Sequence, residues 1–192
     1  MPWLMWVCLI GGLGVGLVNS FMKRVSPPLV MLYAVLQGVM LGGISNWYSQ
    51  IAANPQNGGI VLQAVVATMT TFGVMLALYL TGVIKVTKRF QSILIVAAVS
   101  YLLLGVASLV AAMFGVGGGW GFYGVGGLGL AICVIGVLIA AFFLLLDFEA
   151  ISQGIKLGAP ERESWRMAFG LLVTLIWLYL EFLRLLAIFS RN

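Results

Sequence analysis

Long apolar runs broken by short polar clusters set the pattern of this chain. Six runs meet or approach the length of a spanning helix, about 20 mostly apolar residues. They cover residues 3–19, 28–47, 60–84, 92–114, 128–148 and 168–189. The first is short, and the third is long enough to tilt in a bilayer. Each break has a backbone reason. Lys23, Arg24 and Ser26-Pro27-Pro28 end the first run, and Asn54-Pro55-Gln56-Asn57-Gly58-Gly59 ends the second. Lys85, Lys88 and Arg89 end the third, the glycine-rich stretch 115–129 ends the fourth, and residues 154–164, with Pro160, end the fifth. Glycine frees the backbone and proline removes a helix hydrogen bond, so such clusters terminate helices. The pattern predicts an all-α fold: one polytopic transmembrane bundle over residues 1–192, with six spanning segments.

Composition strengthens this picture. The chain is 62% hydrophobic and 8% charged, against about a quarter charged in soluble domains. So few charges cannot solvate a water-facing surface, and the mean hydropathy of +1.15 agrees. Lipid is the expected surrounding, and nucleic acid is not an expected partner.

Charge placement adds orientation. The first connection carries Lys23 and Arg24, the third Lys85, Lys88 and Arg89, and the fifth Lys156, Arg162 and Arg166. The second and fourth connections carry no basic residue. Alternation of this kind follows the positive-inside rule. It puts the odd connections in the cytoplasm and both termini outside, although Arg184 and Arg191 oppose the latter. Localisation in the cell membrane follows as an expectation. No basic n-region precedes the first run, so a cleaved signal peptide is not expected. An outside N-terminus without one suggests an earlier spanning segment missing from this chain.

Candidate chemistry narrows quickly. Histidine is absent, and Cys8 and Cys133 lie in separate runs. No metal motif, cofactor fingerprint or Ser-His catalytic pair is present. The GVGGLG stretch at 124–129 follows no predicted strand and carries no dinucleotide reading. The expectation is a protein without cofactor that is not an enzyme. Gly12-x-x-x-Gly16 and Gly38-x-x-x-Gly42 predict close helix packing. Gln37, Gln63, Thr68, Thr70, Thr71 and Ser100 fit either a wet cavity or interhelical hydrogen bonds. Trp120, Phe122 and Tyr123 fit an interfacial aromatic belt.

Five carboxylates remain. Glu181 lies well inside the sixth run, where an acid costs at least about 2.5 kcal/mol. Asp147 ends the fifth. Two carboxyls brought together in a low dielectric share a proton and titrate as a unit. Ionised, they offer hard oxygens to a cation such as calcium. A proton-sensitive, ion-gating pair of Asp147 and Glu181 is therefore one expectation, with both acids as calcium ligands. Two observations compete with it. Arg184 is three residues from Glu181 on the same face and suits an ion pair. Counted in from the cytoplasmic edge, the two acids also differ in depth by about 10 Å or more.

The stretch Leu145-Leu146-Asp147-Phe148-Glu149-Ala150-Ile151-Ser152-Gln153-Gly154 resembles the end of the penultimate helix in the Bax inhibitor family. Leu178-Tyr179-Leu180-Glu181-Phe182-Leu183-Arg184-Leu185-Leu186 resembles its final helix, where Tyr-Leu-Asp-Phe is typical. Residues 28–45 and 59–81 resemble its middle segments, and the Gly158-Ala159-Pro160-Glu161-Arg162 loop and residues 171–186 resemble an actinobacterial branch. The resemblance covers essentially the whole chain and matches it to segments two to seven of a seven-helix fold. It implies a pH-sensitive calcium leak through an acid pair matching Asp147 and Glu181, the latter one methylene longer than the family's aspartate. It also implies a basic latch, for which Lys23 or Arg24 is placed. Some bacterial relatives are thought to modulate membrane proteolysis. The alternative expectation is therefore a non-transporting regulator that binds a membrane protease or another membrane protein.

Overall fold

The computed structural model describes residues 2–22, 25–51, 59–124 and 126–191, with the side chains of 2–6, 51 and 191 left aside. Among the described residues the chain forms six α-helices. They are α1 (Pro2–Phe21), α2 (Pro27–Ile51), α3 (Ile60–Leu80), α4 (Lys88–Met113), α5 (Gly126–Lys156) and α6 (Glu161–Arg191). Two 3₁₀ turns, Val116–Gly119 and Gly121–Gly124, join α4 to α5. Five helices, α2 to α6, are long and apolar enough to cross a membrane. In α1 the stretch Val7–Phe21 forms a shorter apolar helix. The polytopic helical bundle expected from the runs is the observed architecture.

Local chemistry sets the helix ends. Pro27 opens α2, where its fixed φ suits the first turn and its missing N–H is no loss. The Thr87 side chain caps α4 by accepting from the Phe90 N–H at 3.2 Å, satisfying a donor left free at a helix start. Gly158 closes α5 with a left-handed φ of 63°. The Ala159 N–H donates to the Gly154 carbonyl at 2.9 Å and the Gly158 N–H to Ile155 at 3.1 Å. These paired bonds are a Schellman stop. Pro160 follows, and Glu161 and Glu163 fill the first turn of α6, where the helix dipole favours anions.

The last two helices therefore extend well beyond their apolar runs. The sequence pattern ends the fifth run at Phe148 and starts the sixth at Ala168, yet only residues 157–160 separate α5 from α6. At 31 residues each, both helices are about 46 Å long. Asp147 consequently lies nine residues inside the end of α5.

The α5–α6 hairpin is the centre of the bundle. One core joins α3, α5 and α6 through Met75, Ala140, Leu144, Leu145, Phe148 and Leu178. A second joins α2, α3 and α6 through Tyr48, Ala64, Tyr179 and Leu183. A third seats Val25, Val30 and Tyr33 on Phe169 of α6. In lipid such cores hold by close contact rather than by water exclusion. Helix α4 stands at the edge, packed on α5 and the 3₁₀ turns. Leu102, Leu103 and Leu109 of α4 are exposed, the surface a bilayer would cover.

Helices α1 and α2 pack antiparallel. A methyl group added at Gly12 would lie 3.0 Å from Gln37 Nε2, and one at Gly16 3.1 Å from the Tyr33 ring. The Gly12/Gly16 pattern thus serves the close approach predicted for it. The Gly38/Gly42 pattern does not serve it among the described residues, where a methyl at either position would meet open space.

Replacing Gly16 by Leu should drive a side chain into Tyr33 and cost about 1–3 kcal/mol by overpacking. Gly38→Ala should be neutral or stabilising by up to about 1 kcal/mol through helix propensity. Thermal unfolding of the two variants in detergent checks the contrast, and an equal loss in both would refute the packing assignment.

Candidate functional site

The α5–α6 interface holds both intramembrane acids, and its register decides their relation. Gly170 of α6 faces Asp147, because a methyl there would lie 3.4 Å from Asp147 Oδ1. Gly136 of α5 faces Glu181, because a methyl there would lie 2.8 Å from Glu181 Oε2. In both contacts the two residue numbers sum to the same value, as they must along one antiparallel pair. The acids are thus eleven residues apart along the hairpin, about 16 Å. The structure does not bring Asp147 and Glu181 together. The shared-proton pair is corrected on this ground, and so is the pair as joint ligands of one calcium ion. Among the described residues no group of three or more potential metal-ligating side chains converges.

Glu181 is 3% exposed and fully engaged. Its Oε2 accepts from the Tyr101 hydroxyl of α4 at 2.9 Å. Its Oε1 accepts from Trp177 Nε1 at 3.2 Å. The Arg184 guanidinium bonds both oxygens at 3.3 and 3.4 Å. The ion pair with Arg184 is the competing expectation, and it is what the helix carries. Tyr123 of the second 3₁₀ turn lies face-on to that guanidinium, 4.3 Å from ring centroid to Cζ, an arrangement that favours a cation. The Tyr123 hydroxyl donates to that of Tyr101 at 3.3 Å, and burial pushes its phenol above the usual tyrosine range, so it stays a neutral donor. Gly136 is required here, since any side chain would collide with the Tyr101–Glu181 bond.

Asp147 has a different environment. The Thr174 hydroxyl lies beside it, and the bare Gly170 backbone faces it. Its Oδ2 is buried and has no hydrogen-bond partner. Nearby Glu149 is occupied elsewhere, accepting from Tyr79 of α3 at 2.9 Å and from Gln153 at 2.7 Å. Lys23 and Arg24, the expected latch, lie outside the described residues.

The remaining polar candidates separate by position. Gln63, Thr70 and Thr71 line a groove between α3 and α6. Thr68 bonds the Ala64 carbonyl of its own helix at 2.7 Å, Gln37 packs on Gly12, and Ser100 is exposed. Residues missed by sequence reasoning are Tyr101, Trp177 and Thr174, which touch the acids, and Asn19, buried on α1 with both amide atoms unpartnered. Trp177 could have been found four residues before Glu181 on one helical face. Tyr101 had no such signal, since its partner is 80 residues away.

The family model described as Bax inhibitor 1 like matches residues 1–191. The chain belongs to the Bax inhibitor 1-like family. No curated protein matches it. Membership in this family and five apolar helices of spanning length make this a multi-pass membrane protein in contact with a lipid bilayer. The chain carries an acid on each of its last two helices, eleven residues apart along the hairpin.

Removing Arg184 should leave Glu181 charged, buried and unpaired, at a cost of about 3–5 kcal/mol. Replacing both residues by Met removes the charge as well and should cost less than Arg184→Met alone. Thermal stability of the three proteins in detergent tests this. A double variant no more stable than Arg184→Met would show that the ion pair is not the source of the loss.

Proposed function

We propose that this chain is a pH-sensitive cation leak, with calcium as its ion, in which Asp147 is the proton-sensitive group. The observation that carries this reading is the buried, unpartnered Oδ2 of Asp147. A buried polar atom away from water needs a partner. Protonated, the carboxyl is neutral and tolerable in an apolar interior. Ionised, it calls for water or a cation. Gly170 leaves room beside it, and the Thr174 hydroxyl adds a second hard oxygen of the kind calcium takes. Two protein ligands bind a cation loosely, which suits passage rather than storage. The family resemblance favours the same activity.

Glu181 has a separate role in this reading. Its charge is already balanced by Arg184, so it anchors α4, α6 and the 3₁₀ turns instead of carrying the ion. The sign of the pH dependence follows from Asp147 alone. Below its pKa the site is neutral and closed, and above it the carboxylate is charged and conducting. Flux therefore rises with pH.

Calcium uptake into liposomes across a pH series is the test. Asp147→Asn should be low and pH-independent, because an amide neither ionises nor attracts a divalent cation. Glu181→Gln should change the level of flux while leaving a pH-dependent profile. An Asp147→Asn protein with wild-type flux and profile would reject the mechanism. No flux from the wild type at any pH, together with stable co-purification of a membrane protease, would favour the regulator instead.

A further inference from the structure

We propose that residues 115–124 form a lid over the buried Glu181–Arg184 pair, and that this lid opens to admit water to that end of the bundle. Its use as an ion gate rests on the leak reading above, whereas the lid itself does not.

The segment is held down by side chains from three helices. Trp120 stacks on Trp47 of α2, with centroids 5.2 Å apart and planes 19° apart, and meets Tyr48 edge-on at 6.0 Å. Tyr123 covers Arg184 of α6. The Phe122 N–H donates to Ser108 Oγ of α4 at 3.0 Å. Aromatic contacts dominate, and each is modest in strength. That is enough to favour closure and little enough to permit opening.

Its backbone suits movement. Gly117 and Gly118 take left-handed φ values of 62° and 66° inside the first 3₁₀ turn. Without Cβ atoms they exchange between left- and right-handed wells at low cost. Short 3₁₀ turns also have poor hydrogen-bond geometry. The segment carries no charge, and none occurs anywhere between Arg89 and Asp147. An interfacial connection of this composition has no ionic tether to water. Here it folds inward over the buried Glu181–Arg184 ion pair.

What lies beneath is sealed by it. Cys133 of α5 is 0% exposed and sits among Glu181, Arg184, Tyr48 and Tyr123. Closure is tight at Gly121, where a methyl group would collide with the Ser108 carbonyl. Gly121 also holds a left-handed φ of 63°. A side chain at this position should prise the lid from α4.

Cys133 is the natural reporter. With Cys8→Ala it is the only thiol in the chain. In reconstituted vesicles, Gly121→Ala should raise the rate at which a small water-soluble methanethiosulfonate labels Cys133 by about tenfold, as expected for a weakened local closure. Joining Trp47→Cys to Trp120→Cys with a short, reducible bifunctional thiosulfonate should instead stop the labelling. This second protein keeps the test informative if Gly121→Ala fails to fold. Equal labelling of Cys133 in the unlocked and locked proteins overturns the lid. In the same background with Cys133→Ala, the locked protein should lose calcium flux and regain it on reduction. Labelling that follows the lid, with no flux from any protein, upholds the lid and rejects the leak.

Discussion

The antiparallel register of α5 against α6 governs the chemistry of this bundle. It is set at the hairpin, where Gly158 stops one helix and Pro160 starts the next within four residues. From that point each residue of α5 has a fixed counterpart on α6. Gly170 falls opposite Asp147 and Gly136 opposite Glu181. A side chain at Gly136 would collide with the Tyr101–Glu181 bond, whereas a methyl at Gly170 would sit in ordinary contact with Asp147. Gly136 therefore allows a carboxyl to lie inside a close helix pair without forcing it apart. The long end of α5 also places Asp147 nine residues inside the helix.

A charge in hydrocarbon must be balanced or removed, and the chain uses both solutions. At Glu181 an arginine one turn away supplies the counter-charge, while a tyrosine and a tryptophan fill the remaining hydrogen bonds. The arginine is itself sheltered by Tyr123. This is a closed account, with every partner present, and it ties α4 and the 3₁₀ turns to α6. At Asp147 the account is open: one oxygen has no partner. The contrast supports the proposed division, with structural duty for the first acid and proton sensing for the second.

Much of the fold was legible in the sequence, because lipid imposes a simple rule. Apolar runs of spanning length must be helices, and Gly, Pro and charged clusters must divide them. The ion pair of Glu181 with Arg184 was legible for the same local reason, a spacing of three on a helix. The extents of α5 and α6 were not. Polar residues 149–156 and 161–167 read as connection by hydropathy, yet they are helical, and hydropathy reports depth rather than backbone hydrogen bonding. That error hid the depth of Asp147. The inward fold of residues 115–124 was also illegible, since Trp120 and Tyr123 meet partners on α2 and α6 far away in the chain. Their aromatic character suits an interfacial belt equally well, and only the tertiary contacts distinguish the two.

The separation of the acids limits the kind of switch this chain can contain. A shared proton would require sliding α5 along α6 by about 16 Å, some three helical turns. Packed helices shift by about one turn at most in known transitions. The hairpin turn of 157–160 has no spare length to allow more. The two carboxyls therefore titrate as independent groups, without the strong coupling that splits a close pair into two widely spaced steps. Any influence of Asp147 on the far end of the bundle must pass through helix packing, and the element placed to receive it is the α5–α6 core of Leu144, Leu145 and Leu178. These leucines are fully buried and lie between the level of Asp147 and that of Gly136, so a packed apolar layer of α5 and α6 separates the two acids.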